Sequence, residues 1–210
     1  MLKLTAKHFN SITKKDRCEF PLNSKPILNI ATQNSQATRP AIVGSMKDFF
    51  TEFLATGGKT VDQWETWYKA HKDKNGNDGN QRIVAATDKL HAYLNKMPLD
   101  HAVFTRDIAE KYLLDLIINK THYGMSGEYH SVVAAAKYFG KEYRFSTAEE
   151  ESQGIDAWLG DCPVQVKPAD SVKKHHVRNH ADEEKTLVIT YKSKEDVCFV
   201  HNPEFLKQYA

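Results

Sequence analysis

The stretch Gly154-Ile155-Asp156-Ala157-Trp158-Leu159-Gly160-Asp161-Cys162-Pro163-Val164-Gln165-Val166-Lys167 constrains the fold of this chain more than any other. Gly160-Asp161 suits a two-residue hairpin loop, because glycine at the first loop position meets the positive φ of a type II′ turn. Closing the hairpin there pairs Leu159 with Cys162, Trp158 with Pro163, Ala157 with Val164 and Asp156 with Gln165. One face then carries Ile155, Ala157, Leu159, Cys162, Val164 and Val166, wholly apolar and suited to a core. The other face carries Asp156, Gln165 and Lys167. Opposed residues have Cβ atoms about 4.5–5.5 Å apart, so a carboxylate, an amide oxygen and an ammonium converge. A hard divalent cation takes oxygen donors, and a neighbouring lysine can hold or polarise water, so the hairpin reads as a metal-dependent hydrolytic site. Half-buried hairpins also show Asp, Gln and Lys to solvent without any chemistry. Pro163 adds a constraint of its own, since it cannot donate to a ladder and fits where its nitrogen faces away from the partner strand.

With 210 residues the chain can bury a sizeable core, as one domain or as a domain with a helical extension. A net charge of +2 gives no bulk signature of nucleic-acid binding, so basic residues matter only where they cluster. Cys18, Cys162 and Cys198 are widely separated and no Cys-x-x-Cys occurs, which weighs against a disulfide scaffold and against a structural zinc module. The first residues lack the apolar stretch of a signal peptide, and no run is long enough to span a bilayer. The expectation is a soluble, cytoplasmic protein without a membrane partner.

Residues 1–40 read as an irregular arm, with a short strand at Ile27-Leu28-Asn29-Ile30. Helices are expected over Met46–Leu54, over Val61–His71 capped by Thr60, over Gln81–Met97, and over Arg106–Asn119 capped by Thr105. A loop at Lys120–Gly124 precedes a fifth helix from Ser126 to Phe139. The loop at 72–80 carries alternating Asp but lacks the closing Glu of an EF-hand. Beyond Gly140 the pattern turns extended: Tyr143–Ser146, the hairpin, Leu187–Tyr191 and Val197–Val200. A helical first half and a sheet-rich second half make an α+β fold, with a soft boundary near residue 100. Residues 1–100 would form a mainly helical region with an irregular arm and residues 101–210 the sheet-bearing core.

Asp156, eight intervening residues, then Gln165-Val166-Lys167 resembles the PD-(D/E)XK nuclease signature, in the variant with glutamine at the second acidic position. Arg39-Pro40-Ala41-Ile42-Val43-Gly44, Trp64-Glu65-Thr66-Trp67-Tyr68, Asp115–Thr121, Tyr143-Arg144 and Glu151–Asp156 resemble segments of the MjaI-type restriction endonucleases. The resemblance implies a mixed β-sheet core flanked by helices and Mg²⁺-dependent hydrolysis of phosphodiesters in double-stranded DNA. It implies that Asp156 is the main metal ligand and that Gln165 supplies a second, neutral oxygen. Lys167 would orient the attacking water and stabilise charge on the phosphate. The same signature also serves repair, recombination and homing nucleases, and inactive DNA-binding relatives keep the fold.

A further carboxylate comes, in such enzymes, from upstream of the hairpin. Glu128 shares a helical face with Val132, Ala135 and Phe139, although a first-turn Glu is also favoured by the helix dipole alone. Glu151 is its rival. DNA contacts are expected from Lys173, Lys174, His175, His176 and Arg178, the densest basic patch, and from Lys120, His122 and Tyr123. Phosphate contacts of this kind supply affinity rather than sequence reading. His176 and His180 have helical metal-ligand spacing but lack a third ligand. Cutting both strands at a palindrome is most simply done by a two-fold homodimer.

Overall fold

The structure, a computed structural model, describes residues 1–5, 19–169, 185–192 and 196–209. By its internal contacts the chain forms two compact units. One is helical and ends at Tyr123; the other holds the first strand and everything described from Gly124 onward. The boundary thus falls at 123/124 rather than near 100.

The helical unit contains α1 (Ser24–Ser35), α2 (Pro40–Val43), α3 (Met46–Ala55), α4 (Val61–Ala70), α5 (Gly79–Leu94) and α6 (Arg106–Leu114). Its starts are written in side chains. Thr60 with Gln63 and Asp78 with Gln81 form capping boxes, and the Thr105 hydroxyl accepts from the Ile108 N–H, satisfying amide protons that the first helical turn leaves unpaired. The core is aromatic. Trp64, Tyr68 and Phe53 are fully buried; Trp64 Nε1 donates to the Ile117 carbonyl at 3.2 Å and Tyr68 Oη to the Val43 carbonyl at 2.8 Å. Burying each such ring stabilises the fold by roughly 1.5–3 kcal/mol. Pairing the polar tip avoids the cost of an unmet hydrogen bond.

Two elements differ from expectation. The segment 24–35 is a helix, not an arm with a strand, because its buried stripe is Leu28, Ala31, Thr32 and Ser35. Small and hydroxyl residues hide the helical period, and Thr32 and Ser35 satisfy themselves on the Leu28 and Thr32 carbonyls. Nor is there a loop at 120–124. A π-helical turn, Asp115–Lys120, joins α6 directly to α7 (Thr121–Phe139).

Among the described residues the second unit's sheet has six strands in the order β1-β6-β5-β4-β3-β2. These are β1 (Leu2–Thr5), β2 (Tyr143–Phe145), β3 (Ala157–Leu159), β4 (Cys162–Pro168), β5 (Leu187–Lys192) and β6 (Val197–Val200). Only β4 and β5 run parallel; the other neighbours are antiparallel. The fold is therefore α+β with a mixed sheet. Its apolar face carries Ala157, Leu159, Cys162, Val164, Val166, Leu187, Ile189, Tyr191, Cys198 and Val200, all buried. α7 packs there through small residues. A Cβ at Gly127 would lie 2.3 Å from the Tyr191 ring, and the Ser131 side chain hydrogen-bonds Cys198. Burial pushes the thiols of Cys162 and Cys198 up to about 11, so they are inert core groups. No helix among the described residues is long and apolar enough to cross a membrane.

Candidate active site

The hairpin closes as its sequence dictates, with Leu159 opposite Cys162, Trp158 opposite Pro163 and Ala157 opposite Val164. Gly160 has φ 57° while Asp161 is not among the positive-φ residues, the pattern of a type II′ turn and not of type I′, which needs both. Past Ala157 the regular ladder stops. The Asp156 N–H donates to the Val164 carbonyl at 2.8 Å, while its own carbonyl accepts from Ser146 at 3.2 Å. In a regular strand both groups of one residue point to the same neighbour. Here they point to opposite neighbours, so the chain twists at Asp156, in the manner of a bulge. The twist brings the carboxylate onto β4, where Oδ2 accepts from the Val166 N–H at 2.7 Å.

Gln165 and Lys167 flank Val166 and, by strand alternation, share the face opposite the apolar core. All three polar residues are half-buried. Gln165 has the feature most specific to a binding site: its carbonyl oxygen Oε1 is buried and accepts no hydrogen bond from any described residue. An unmet buried acceptor costs about 1–3 kcal/mol, and such groups in native proteins mark a missing ion, water or ligand. The amide nitrogen lies against Gly154, where a Cβ would sit 3.3 Å away. Gly154 also holds φ 85°, a conformation that favours glycine. An orphaned amide oxygen, on the residue preceding the one whose N–H orients the Asp156 carboxylate, suits a hard cation.

The other expected residues distribute differently. Glu128 is half-buried on α7 and Val132 and Ala135, on its face, are fully buried. Glu151 is half-buried on α8 (Ala148–Ser152). No three His, Cys, Asp or Glu among the described residues gather into a metal-holding group, so Glu128 and Glu151 do not join Asp156 as a three-carboxylate set. Glu150 is committed elsewhere. It pairs with both Arg144 nitrogens, at 2.9 and 2.7 Å, and that guanidinium holds its carboxyl down at about 2. Arg144 also stacks over Trp158 at 4.9 Å.

His122 is 1% exposed. Its Nε2 lies 3.0 Å from the Lys59 carbonyl and its ring packs against Phe50 and Phe53, so it serves the helical core rather than a surface. Burial lowers its pKa, opposed by the Lys59 bond. Lys120 is exposed, 3.6 Å from Asp115, and Tyr123 is 38% exposed. Lys173, Lys174, His175, His176, Arg178 and His180 lie outside the described residues, as does Cys18. Thr190 on β5 and His201 after β6 escaped the sequence reading as site residues. Thr190 sits directly across the parallel ladder from Lys167, a pairing no local pattern announces.

The chain also matches known proteins. A family model described as MjaI restriction endonuclease covers residues 25–200. The type II restriction enzyme MthZI of Methanothermobacter thermautotrophicus is 34% identical over 157 residues, spanning 75% of this chain and 72% of that protein. The type II restriction enzyme MjaI of Methanocaldococcus jannaschii is 32% identical over 192 residues, spanning 90% and 82%. No solved structure matches the chain. With a family model over most of its length and two such relatives, the chain belongs to the MjaI restriction endonuclease family.

Proposed function

We propose that this chain is a type II restriction enzyme that hydrolyses phosphodiester bonds in both strands of duplex DNA at a short sequence. Family membership supports the class of reaction. The observation that carries the chemistry is the buried, orphaned Gln165 Oε1, one residue before Val166, whose N–H holds the Asp156 carboxylate. The mixed sheet, with its antiparallel β3–β4 hairpin and parallel β4–β5 pair, supports reading this unit as a PD-(D/E)XK core.

Asp156 and Gln165 would hold a divalent cation, Mg²⁺ in this reading. Glu128, half-buried on α7, is the proposed further oxygen donor, and Glu151 is the rival. When bound, such a cation supplies Lewis acidity toward the phosphate and acidifies water. The Val166 N–H fixes the direction of the Asp156 carboxylate. Lys167 orients the attacking water and stabilises charge growing on the phosphate oxygens. Glutamine in place of an acid leaves the site one negative charge poorer, so phosphate approaches with less repulsion and the cation binds less tightly. Phosphate contacts are assigned to Lys120, Tyr123, Lys173, Lys174, His175, His176 and Arg178, and double-strand cleavage to a two-fold homodimer.

The test is to incubate plasmid DNA with the protein in Mg²⁺ or in EDTA and to sequence the ends. The expected outcome is discrete fragments sharing one short sequence, in Mg²⁺ only. A smear of unrelated ends would instead indicate a repair or recombination nuclease, and tight binding without cutting an inactive relative.

A further inference from the structure

On the sheet face that carries Gln165 and Lys167, register continues the site across two more strands. Gln165 is opposite Val188 and Lys167 is opposite Thr190 on β5. Val188 in turn lies next to His201, whose N–H donates to the Val188 carbonyl at 3.0 Å. His201 reaches diagonally back along the face, and its Nε2 lies 2.8 Å from Thr190 Oγ1. Thr190 is 3% exposed, so its hydroxyl is held by neighbouring protein groups rather than by solvent. Adjacent strands are about 4.8 Å apart. The hydroxyl therefore stands one strand spacing from the Lys167 stem, with an imidazole fixing it from the far side.

We propose that Thr190, oriented by His201, is a positioning residue for Lys167. This rests on the reading of Lys167 as the water-orienting group of a nuclease site. An ammonium only donates, and a threonine hydroxyl has one proton and two acceptor lone pairs. The Thr190 Oγ1–His201 Nε2 bond uses one proton, and whichever partner donates it the hydroxyl keeps a lone pair for the lysine beside it. The flexible four-carbon stem of Lys167 is then confined to one direction, which lowers the entropy lost when it meets water and phosphate. Without the imidazole, the hydroxyl rotates to a backbone carbonyl and the lysine loses its guide. Threonine suits the role because its hydroxyl offers an acceptor that an isosteric valine lacks.

The experiment compares wild type with Thr190→Val, which keeps the shape and removes the acceptor, Thr190→Ser, which restores it, and His201→Phe. Two readouts are taken. The first is the rate at which acetic anhydride acylates Lys167 in the free protein, read by peptide mass spectrometry against exposed Lys137 as internal reference. The second is single-turnover cleavage in Mg²⁺ together with duplex affinity in EDTA. Thr190→Val and His201→Phe are expected to acylate several-fold faster at Lys167 and to cut about tenfold more slowly, with duplex affinity unchanged; Thr190→Ser tracks wild type. Wild-type acylation and cutting in Thr190→Val would overturn the assignment. So would a slower Thr190→Val that Thr190→Ser does not rescue, since that marks a merely structural role. If Thr190→Val does not fold, His201→Phe decides by the same two readouts. If no protein cuts DNA, wild type included, while the acylation pattern holds, the nuclease reading falls and the positioning of Lys167 stands.

Discussion

At the scale of single residues, Gln165 and His122 show how burial assigns a role that residue type does not. The hairpin register was readable from the two-residue turn as far as Ala157 opposite Val164. The expected pairing of Asp156 with Gln165 is not part of the ladder, since the Asp156 N–H goes to the Val164 carbonyl. The twist at Asp156 was not readable: it arises where the carboxylate competes for the Val166 N–H, a contact between strands. Gln165 holds a buried acceptor without a partner. Gln165→Met, similar in volume, is therefore expected to stabilise the metal-free protein by about 1 kcal/mol while abolishing DNA cleavage, as checked by thermal unfolding and plasmid cutting. His122 looked like a loop residue that could reach DNA, and is instead packed in an aromatic core. Its folded pKa is lowered, so below about 6.5 the unfolded chain binds a proton that the folded one does not. Stability then falls as pH falls through that range. Unfolding curves at pH 7.5 and 5.5 should show a loss for wild type and a smaller loss for His122→Phe.

At the scale of elements, the helices capped by Thr60 and Thr105 were legible because the signals are local; the Asp78 cap of α5 was hidden among the turn residues of the 72–80 loop. α1 was missed because Ala, Thr and Ser make a buried stripe without large apolar residues. The start of α7 was missed because Gly124 costs a helix about 1 kcal/mol relative to alanine and Lys120–Gly124 read as loop. The structure accounts for Gly127 by its close approach to Tyr191. Gly127→Ala gains helix propensity but drives a methyl into a buried ring, and overpacking of this kind costs about 1–3 kcal/mol. The expected result is a melting temperature lowered by several degrees; Gly124→Ala, with nothing within 4 Å, is expected to hold or raise it.

At the scale of the whole molecule, strands from the two ends of the chain share one sheet, and that order could not be read locally. β1 pairs with β6, register Leu2 to Val200, so the first residues complete the sheet instead of forming part of an arm. The α+β class was legible from the change of period after Gly140, since helical and extended patterns differ whatever the topology. The face that carries Gln165, Lys167 and Thr190 is built by β4 and β5, with β6 beside β5 in the same sheet. The measurement that tests the account most directly is plasmid cleavage by wild type, Asp156→Asn and Lys167→Ala, each first shown to unfold with the same cooperativity. The account predicts cutting by wild type in Mg²⁺, none in EDTA, and loss of at least about 100-fold in either variant. Either variant cutting at the wild-type rate would contradict it.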